Sequence, residues 1–386
     1  MIKFTFRKNL IYIIQLSIHY YLRRIDYIII KRFFPFKDSL IFTLLMHLGE
    51  FFGGLGSYIY QNTFLKKDKT SNNVLRLKLM KNRAAMRRID GRLKILLLIF
   101  FAAFFDFIEY VLITFYVPKI AELSPTADLR LTSITTISTS LIFHFALKLK
   151  IGKHQLFSFI IIGICLALVI IVELIYQTQV TSFGNLSFAY ILIILSLVFT
   201  TFTDTIEKYL TEFNFINPFI ILTLESIFGV ILVFSYSYEK NPFSEIITYY
   251  GELDTGFFIL LLLLLFLYLA FSAGTNVYKI LSNVLYTPMA KSFAVYSLNP
   301  IIIIYSFFYE NDFLSNGEPN ALFLIINIIL AVIIEFFGCV YNEFFILRCF
   351  NLDYETHHII SSRSQSEHTL VEMRFINDEE IDDDDD

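Results

Sequence analysis

The chain has 386 residues, 56% of them hydrophobic and only 17% charged, with a formal net charge of −4. Soluble chains average roughly 45–50% apolar and about 25% charged residues, so this one lacks the polar surface to cover two domains in water. The apolar excess sits in runs of about 20 residues, the length that crosses a hydrocarbon layer roughly 30 Å thick, and these runs lack the short alternating segments of a membrane β-barrel.

In chain order, the first apolar stretch, Leu10 to Ile30, is interrupted by Arg23, Arg24 and Asp26. Charges there are expensive at mid-bilayer, which makes the stretch a tilted span or an interfacial helix. Nine further spans are expected near 39–60, 94–117, 126–147, 154–177, 185–207, 217–237, 256–278, 287–309 and 320–347. Between Gln61 and Lys94 stand eleven Lys or Arg against two Asp, which places that loop in the cytoplasm. Its charge next to spans reads as topogenic, so a nucleic-acid partner is not expected. The segments 238–255 and 310–319 are acidic and should face the opposite side. From Leu352 to Asp386 twelve acidic residues stand against two basic ones, the composition of a disordered cytoplasmic tail. Counting spans puts both termini in the cytoplasm.

No small-residue cleavage site follows the first apolar stretch, so no cleaved signal is expected. The sequon Asn185-Leu186-Ser187 lies too near a helix start to favour glycosylation. Cys165, Cys339 and Cys349 are scattered and odd in number, which excludes a disulfide framework and a zinc cluster; no metal and no cofactor is expected.

Weak internal symmetry supplies the next step, because two inverted copies of one bundle can rock about a central site. Ser124 to Asp128 reads SPTAD and Thr287 to Lys291 reads TPMAK, 163 residues apart, each opening a span rich in hydroxyls or amides. With the first stretch counted as a span, the chain divides into five plus five: residues 9–177, residues 185–347, and the tail 352–386. Five is odd, so the two copies insert in opposite senses. The expected fold class is an all-α integral membrane protein of about ten transmembrane helices in two inverted five-helix repeats.

On these residues, and on the runs LRLTSITTISTSLIFHFALKLKIGKHQLFSFIIIGICLALVI (Leu129 to Ile170) and TPMAKSFAVYSLNPIIIIY (Thr287 to Tyr305), the chain resembles the drug/metabolite transporter superfamily, closest to its nucleotide-sugar-transporter-like branch. The resemblance covers roughly 94–347. It implies a carrier working by alternating access between two halves, a small-molecule metabolite as partner, and an endomembrane location in Golgi or ER. Whether a proton or an exchanged counter-substrate accompanies the metabolite stays open, as does a homodimer.

Ionisable residues inside spans face a partner or a cavity, and they are few. Lys291 is surrounded by small residues and followed by Tyr296, Asn299 and Pro300; together with Arg130 it suits contact with an anionic substrate, Arg through a bidentate fork and Lys as a point charge. Pro300 should break its helix and free carbonyls. Asp106 and Glu109 lie three apart, on one helical face, and are expected to compensate or couple charge. Glu50, flanked by Gly49, Gly53 and Gly54, and its counterpart Glu225 are weighed as coupling sites against helix-packing partners. His144 is a pH-sensitive gate or a simple bundle residue. The hydroxyls from Thr132 to Ser140 read chiefly as packing groups. No phosphate loop, His-Glu-x-x-His or Gly-x-Ser-x-Gly motif occurs, so neither ATP-driven transport nor an enzyme is expected; the competing class is a membrane-embedded enzyme or a scaffold docking through its acidic tail.

Overall fold

The computed structural model describes residues 2–4, 10–34, 40–64, 91–120, 127–146, 151–177, 182–212, 214–237, 243–285, 288–309, 314–315 and 318–347. The acidic tail and most of the basic loop lie outside them, as do the openings of the SPTAD and TPMAK segments. The helices are α1 (Leu10–Phe33), α2 (Leu40–Phe64), α3 (Arg92–Val111), α4 (Val117–Ile120), α5 (Ala127–Leu131), α6 (Ile134–Ala146) and α7 (Lys153–Gln177). The second half contains α8 (Phe183–Glu212), α9 (Pro218–Tyr236), α10 (Ser244–Glu252), α11 (Thr255–Leu285), α12 (Pro288–Tyr296), α13 (Asn299–Tyr309) and α14 (Ala321–Tyr341). Two small antiparallel pairs complete it. β1 (Ile2–Phe4) pairs with β4 (Phe345–Leu347), and β2 (Leu314–Ser315) with β3 (Glu318–Pro319). The β1–β4 pair brings the start of the chain beside the end of α14.

Among the described residues, seven helical stretches are long and apolar enough to cross a membrane: Leu40–Thr63, Lys153–Tyr176, Phe183–Thr211, Pro218–Tyr236, Thr255–Val284, Lys291–Phe308 and Ala321–Tyr341. Their surfaces invert the soluble pattern. Phe266, Phe308 and Ile301 are 67%, 69% and 62% exposed, whereas Ser272, Asn276, Asn283, Asp204 and Glu207 are buried. A chain that turns phenylalanine outward and carboxylates inward is solvated by lipid, and this is a multi-pass helical membrane protein.

The interruption of the first apolar stretch is resolved by its faces. α1 runs unbroken for 24 residues, exposing Ile11, Ile14, Ile18 and Leu22 and burying Ile13, Leu16, Tyr21 and Asp26. Arg23 and Arg24 line an internal cavity, so the charges that spoil its hydropathy do not meet lipid.

Two expected spans are broken. In the SPTAD span, α5 ends at Leu131 and α6 begins at Ile134. The turn is tightened by i to i−3 bonds, Thr135 N to Thr132 O at 3.0 Å and Thr136 N to Ser133 O at 3.1 Å. In the TPMAK span, α12 ends at Tyr296 and α13 begins at Asn299. Pro300 has no N–H to give the Tyr296 carbonyl and its ring crowds that carbonyl, so the helical ladder lapses over Ser297 and Leu298. α3 is followed by a π-helical turn, Leu112–Tyr116, just ahead of Pro118, the usual place for such a turn being where the regular ladder is interrupted.

Helix pairing follows an exchange pattern. α1 packs along α11 and α3 along α8; α2 packs against α11 and α3 against α9; α6 packs against α8 and α12 against α1. Three further contacts join α2 with α9, α6 with α12 and α7 with α14.

Close approach at α2 depends on glycine. A Cβ at Gly49 would lie 2.8 Å from Ser272 Cβ and 2.9 Å from both Ala273 N and Leu269 O, and one at Gly53 would lie 2.9 Å from Ala273 O. The obstacles are largely backbone of α11, so the helices themselves must part. Gly49→Val is expected to cost about 1–3 kcal/mol, the range for overpacking, read as a lower unfolding midpoint of the purified protein; an unchanged midpoint refutes the close contact.

Candidate functional site

A cavity lies at the centre of the bundle, walled by α1, α3, α5–α6, α8, α11 and α12. Its space for the centres of water-sized spheres is about 130 Å³, against the roughly 10–15 Å³ that one water needs.

The walls are organised by α8. Asp204 and Glu207 stand three apart and so share a face. Lys291 of α12 donates to both oxygens of Asp204, at 2.8 Å to Oδ1 and 2.6 Å to Oδ2. Lys279 of α11 lies 3.7 Å from Glu207 Oε1 and 3.5 Å from Asp106 Oδ1 of α3. Asn283 locks the arrangement by donating to Glu207 Oε2 and to the Asp204 carbonyl, each at 3.0 Å. On the opposite wall Arg24 of α1 pairs with Asp128 of α5 at 2.8 Å. Such charges are tolerable in a membrane interior because each is matched by an opposite charge.

Behind the cavity, where α2 meets α3 and α9, His47 Nδ1 lies 3.0 Å from Glu50 Oε2. The imidazole sits on Gly229, where a Cβ would collide with the ring. His47, Glu50 and Asp106 bring potential ligand atoms within 4.8 Å of one another, and the ammonium of Lys279 already supplies Asp106 with a cation. Glu225 of α9 is also buried.

The residues singled out from sequence therefore separate into groups. Lys291, Asp106 and Glu109 line the cavity together. Glu50 is buried one layer behind it, and Glu225 is buried on α9. Arg130, Tyr296 and Asn299 line a second, narrow space among α5, α7 and α12–α14 that measures about 10 Å³, room for one water at most. There Arg130 pairs with Glu173 at 2.7 Å, and Tyr190 donates to the same carboxylate at 3.0 Å. Asn299 Oδ1 accepts from Tyr21 at 3.0 Å, and Tyr296 Oη lies 3.4 Å from Thr136 Oγ1. His144 is exposed near the end of α6. Several hydroxyls of α6 turn back on their own helix, Thr139 to Thr135 O at 2.6 Å and Ser140 to Thr136 O at 2.7 Å, while Ser140 also reaches Tyr341 Oη at 2.6 Å.

Sequence reasoning passed over Asp204, Glu207, Lys279, His47, Arg23 and Arg24 as site residues. One signal was present: Asp204-Thr-Ile-Glu207 repeats the spacing of Asp106-Phe-Ile-Glu109, with isoleucine in the same place. α3 and α8 pack together, which sets the two carboxylate pairs around one lysine. A scan of protein-family models finds none that matches this chain, and a search of curated proteins finds none either.

Proposed function

We propose that the chain is a secondary transporter that moves a polar or anionic metabolite across a membrane by alternating access. The observation that carries the reading is the seat of the central cavity. Three of its wall elements, α1, α3 and α5–α6, come from residues 9–177, and three, α8, α11 and α12, come from residues 185–347. A site at the seam of two halves is opened to one side or the other when the halves rock.

The exchange pattern of helix pairs supports an inverted repeat of ten spans. In it α1, α2, α3, α5–α6 and α7 correspond to α8, α9, α11, α12–α13 and α14. Exchanging the two sets turns the α1–α11 contact into α8–α3, α2–α11 into α9–α3, and α6–α8 into α12–α1, all of which occur. The fourth member of each set is the broken helix, and broken helices are the devices by which carriers present backbone groups to a solute at mid-membrane. Endomembrane residence and cytoplasmic termini complete the reading; the β1–β4 pair, which sets the first residues beside the end of α14, is in keeping with termini on one side.

Coupling follows from charge balance. Glu50, Asp106, Glu109, Asp204, Glu207 and Glu225 gather in and behind the cavity, while Lys279 and Lys291 are the ammonium groups paired with them. More acid than base in a low-dielectric interior calls for protons or a counter-ion alongside the metabolite.

The test is uptake into proteoliposomes of the purified full chain, using nucleotide sugars, nucleotides, phosphorylated sugars and amino acids, with and without a pH gradient. Saturable uptake of one class, at least threefold faster with the gradient imposed, is expected. Folded, correctly inserted protein that takes up none of them overturns the transporter reading.

A further inference from the structure

Four cations line the central cavity, and three are matched internally: Arg24 by Asp128, Lys291 by Asp204, and Lys279 by Asp106 and Glu207. Arg23 differs. Its guanidinium donates to Tyr110 Oη at 3.3 Å and stands 5.4 Å from the centroid of the Tyr20 ring, with no carboxylate in ion-pair range among the described residues. Three carboxylates line the same cavity. Asp128 and Asp106 belong to the pairs just named, whereas Glu109 lies against the Thr200 hydroxyl and has no ion-pair partner among the described residues. Glu109 is the neighbour in sequence of the tyrosine that Arg23 touches, so the two unmatched charges stand on adjoining walls without meeting.

Resting on the transporter reading, we infer that Arg23 and Glu109 are the two poles of a binding site for a zwitterion, Arg23 receiving its carboxylate or phosphate and Glu109 its ammonium group. A lone charge in a membrane interior is costly until it is matched. A simple anion satisfies Arg23 and leaves Glu109 facing a like charge; a simple cation does the reverse. Only a ligand carrying both signs a short distance apart matches both poles without disturbing the three internal pairs. A guanidinium presents a planar fork suited to carboxylate or phosphate, and a carboxylate accepts from ammonium. Between and around the poles, Leu16, Ile113, Leu197, Tyr20 and Tyr268 give the cavity apolar and aromatic walls. These suit a ligand with a hydrophobic body and exclude nothing as small as a glycine-like headgroup. Lys291, held by both oxygens of Asp204, acts as a wall-forming residue in this arrangement, while the poles come from α1 and α3.

The test uses the full chain in detergent or nanodiscs and reads ligand-induced thermal stabilisation, which does not require transport. The twenty amino acids and phosphoethanolamine are screened, which separates carboxylate from phosphate as the acidic end, and the tightest ligand is compared with its N-acetylated and its decarboxylated or dephosphorylated analogues. Both single-charge analogues are expected to bind at least tenfold more weakly. Glu109→Gln should abolish the discrimination against the N-acetylated anion, and Arg23→Gln should weaken the zwitterion at least tenfold. Should Arg23→Gln fail to fold, Arg23→Lys keeps the positive pole and should still prefer the zwitterion over the amine. The proposal is overturned if no zwitterion in the screen stabilises the protein, if the N-acetylated anion binds the parent chain as tightly as the zwitterion, or if Glu109→Gln leaves the discrimination intact. Uptake separates the two readings. A phosphorylated sugar or nucleotide sugar taken up saturably while zwitterions neither bind nor enter retains the transporter and removes the zwitterion site. Zwitterion binding with no uptake of any solute retains the site and removes the transporter.

Discussion

Asp204→Ala is expected to cost the folded protein about 3–5 kcal/mol, the range for removing one partner of a buried ion pair. Asp204 is wholly buried and accepts both of its bonds from Lys291, itself 4% exposed. Removing the carboxylate strands an ammonium group among Asn283, Glu207 and the cavity wall. The cost is set by the charge left behind more than by the bond lost, so Lys291→Met combined with Asp204→Leu should recover most of the stability. Unfolding midpoints of Asp204→Ala, of Lys291→Met and of the double variant in one detergent give the comparison. Equal midpoints for Asp204→Ala and the parent chain refute the pair, and a double variant no better than the worse single one refutes charge stranding as the cause. The same pair ties α8 to α12, whose Lys291 lines the cavity, so uptake by the double variant should fall at least tenfold even where stability is restored.

The second large effect is expected at another buried pair. Glu173→Ala should also cost about 3–5 kcal/mol, because the Arg130 side chain is 2% exposed and its guanidinium lies 2.7 Å from that carboxylate. Its consequence for transport should differ. Arg130 and Glu173 sit beside the 10 Å³ space and not on the central cavity, so protein that remains folded at low temperature should take up solute with an unchanged KM. A KM raised tenfold or more in folded Glu173→Ala protein would instead assign Arg130 to the solute. The contrast between the two variants separates a pair that shapes the cavity from one that holds helices together.

Several features were readable in advance because they depend on local chemistry. Runs of apolar residues about 20 long become helices in lipid, since no other partner exists for their backbone groups. Pro300 breaks its helix because it has no N–H, whatever surrounds it. Glu50 beside three glycines announced a close helix crossing, and Gly49 and Gly53 do lie against α11 while Gly54 lies against Thr223 of α9. Other features were hidden. The hydropathy of α1 is lowered by Arg23, Arg24 and Asp26, and nothing in the stretch itself says that the two arginines line a cavity and that the aspartate is buried. The hydroxyls from Thr132 to Ser140 are alike in sequence, yet Ser140 reaches Tyr341 across the bundle and Thr135 returns to Thr132 of its own turn.

The sequence by itself determined a helical membrane protein, the break that Pro300 makes in one of its helices, and the short set of residues whose charge cannot face lipid. Only the tertiary structure decided which of those charges are spent on one another. Asp204 lies 87 residues from Lys291, and Asp106 lies 173 residues from Lys279. Ion pairing falls off over a few ångströms in space and is blind to separation along the chain, so packing alone leaves Arg23 and Glu109 without an ion-pair partner among the described residues.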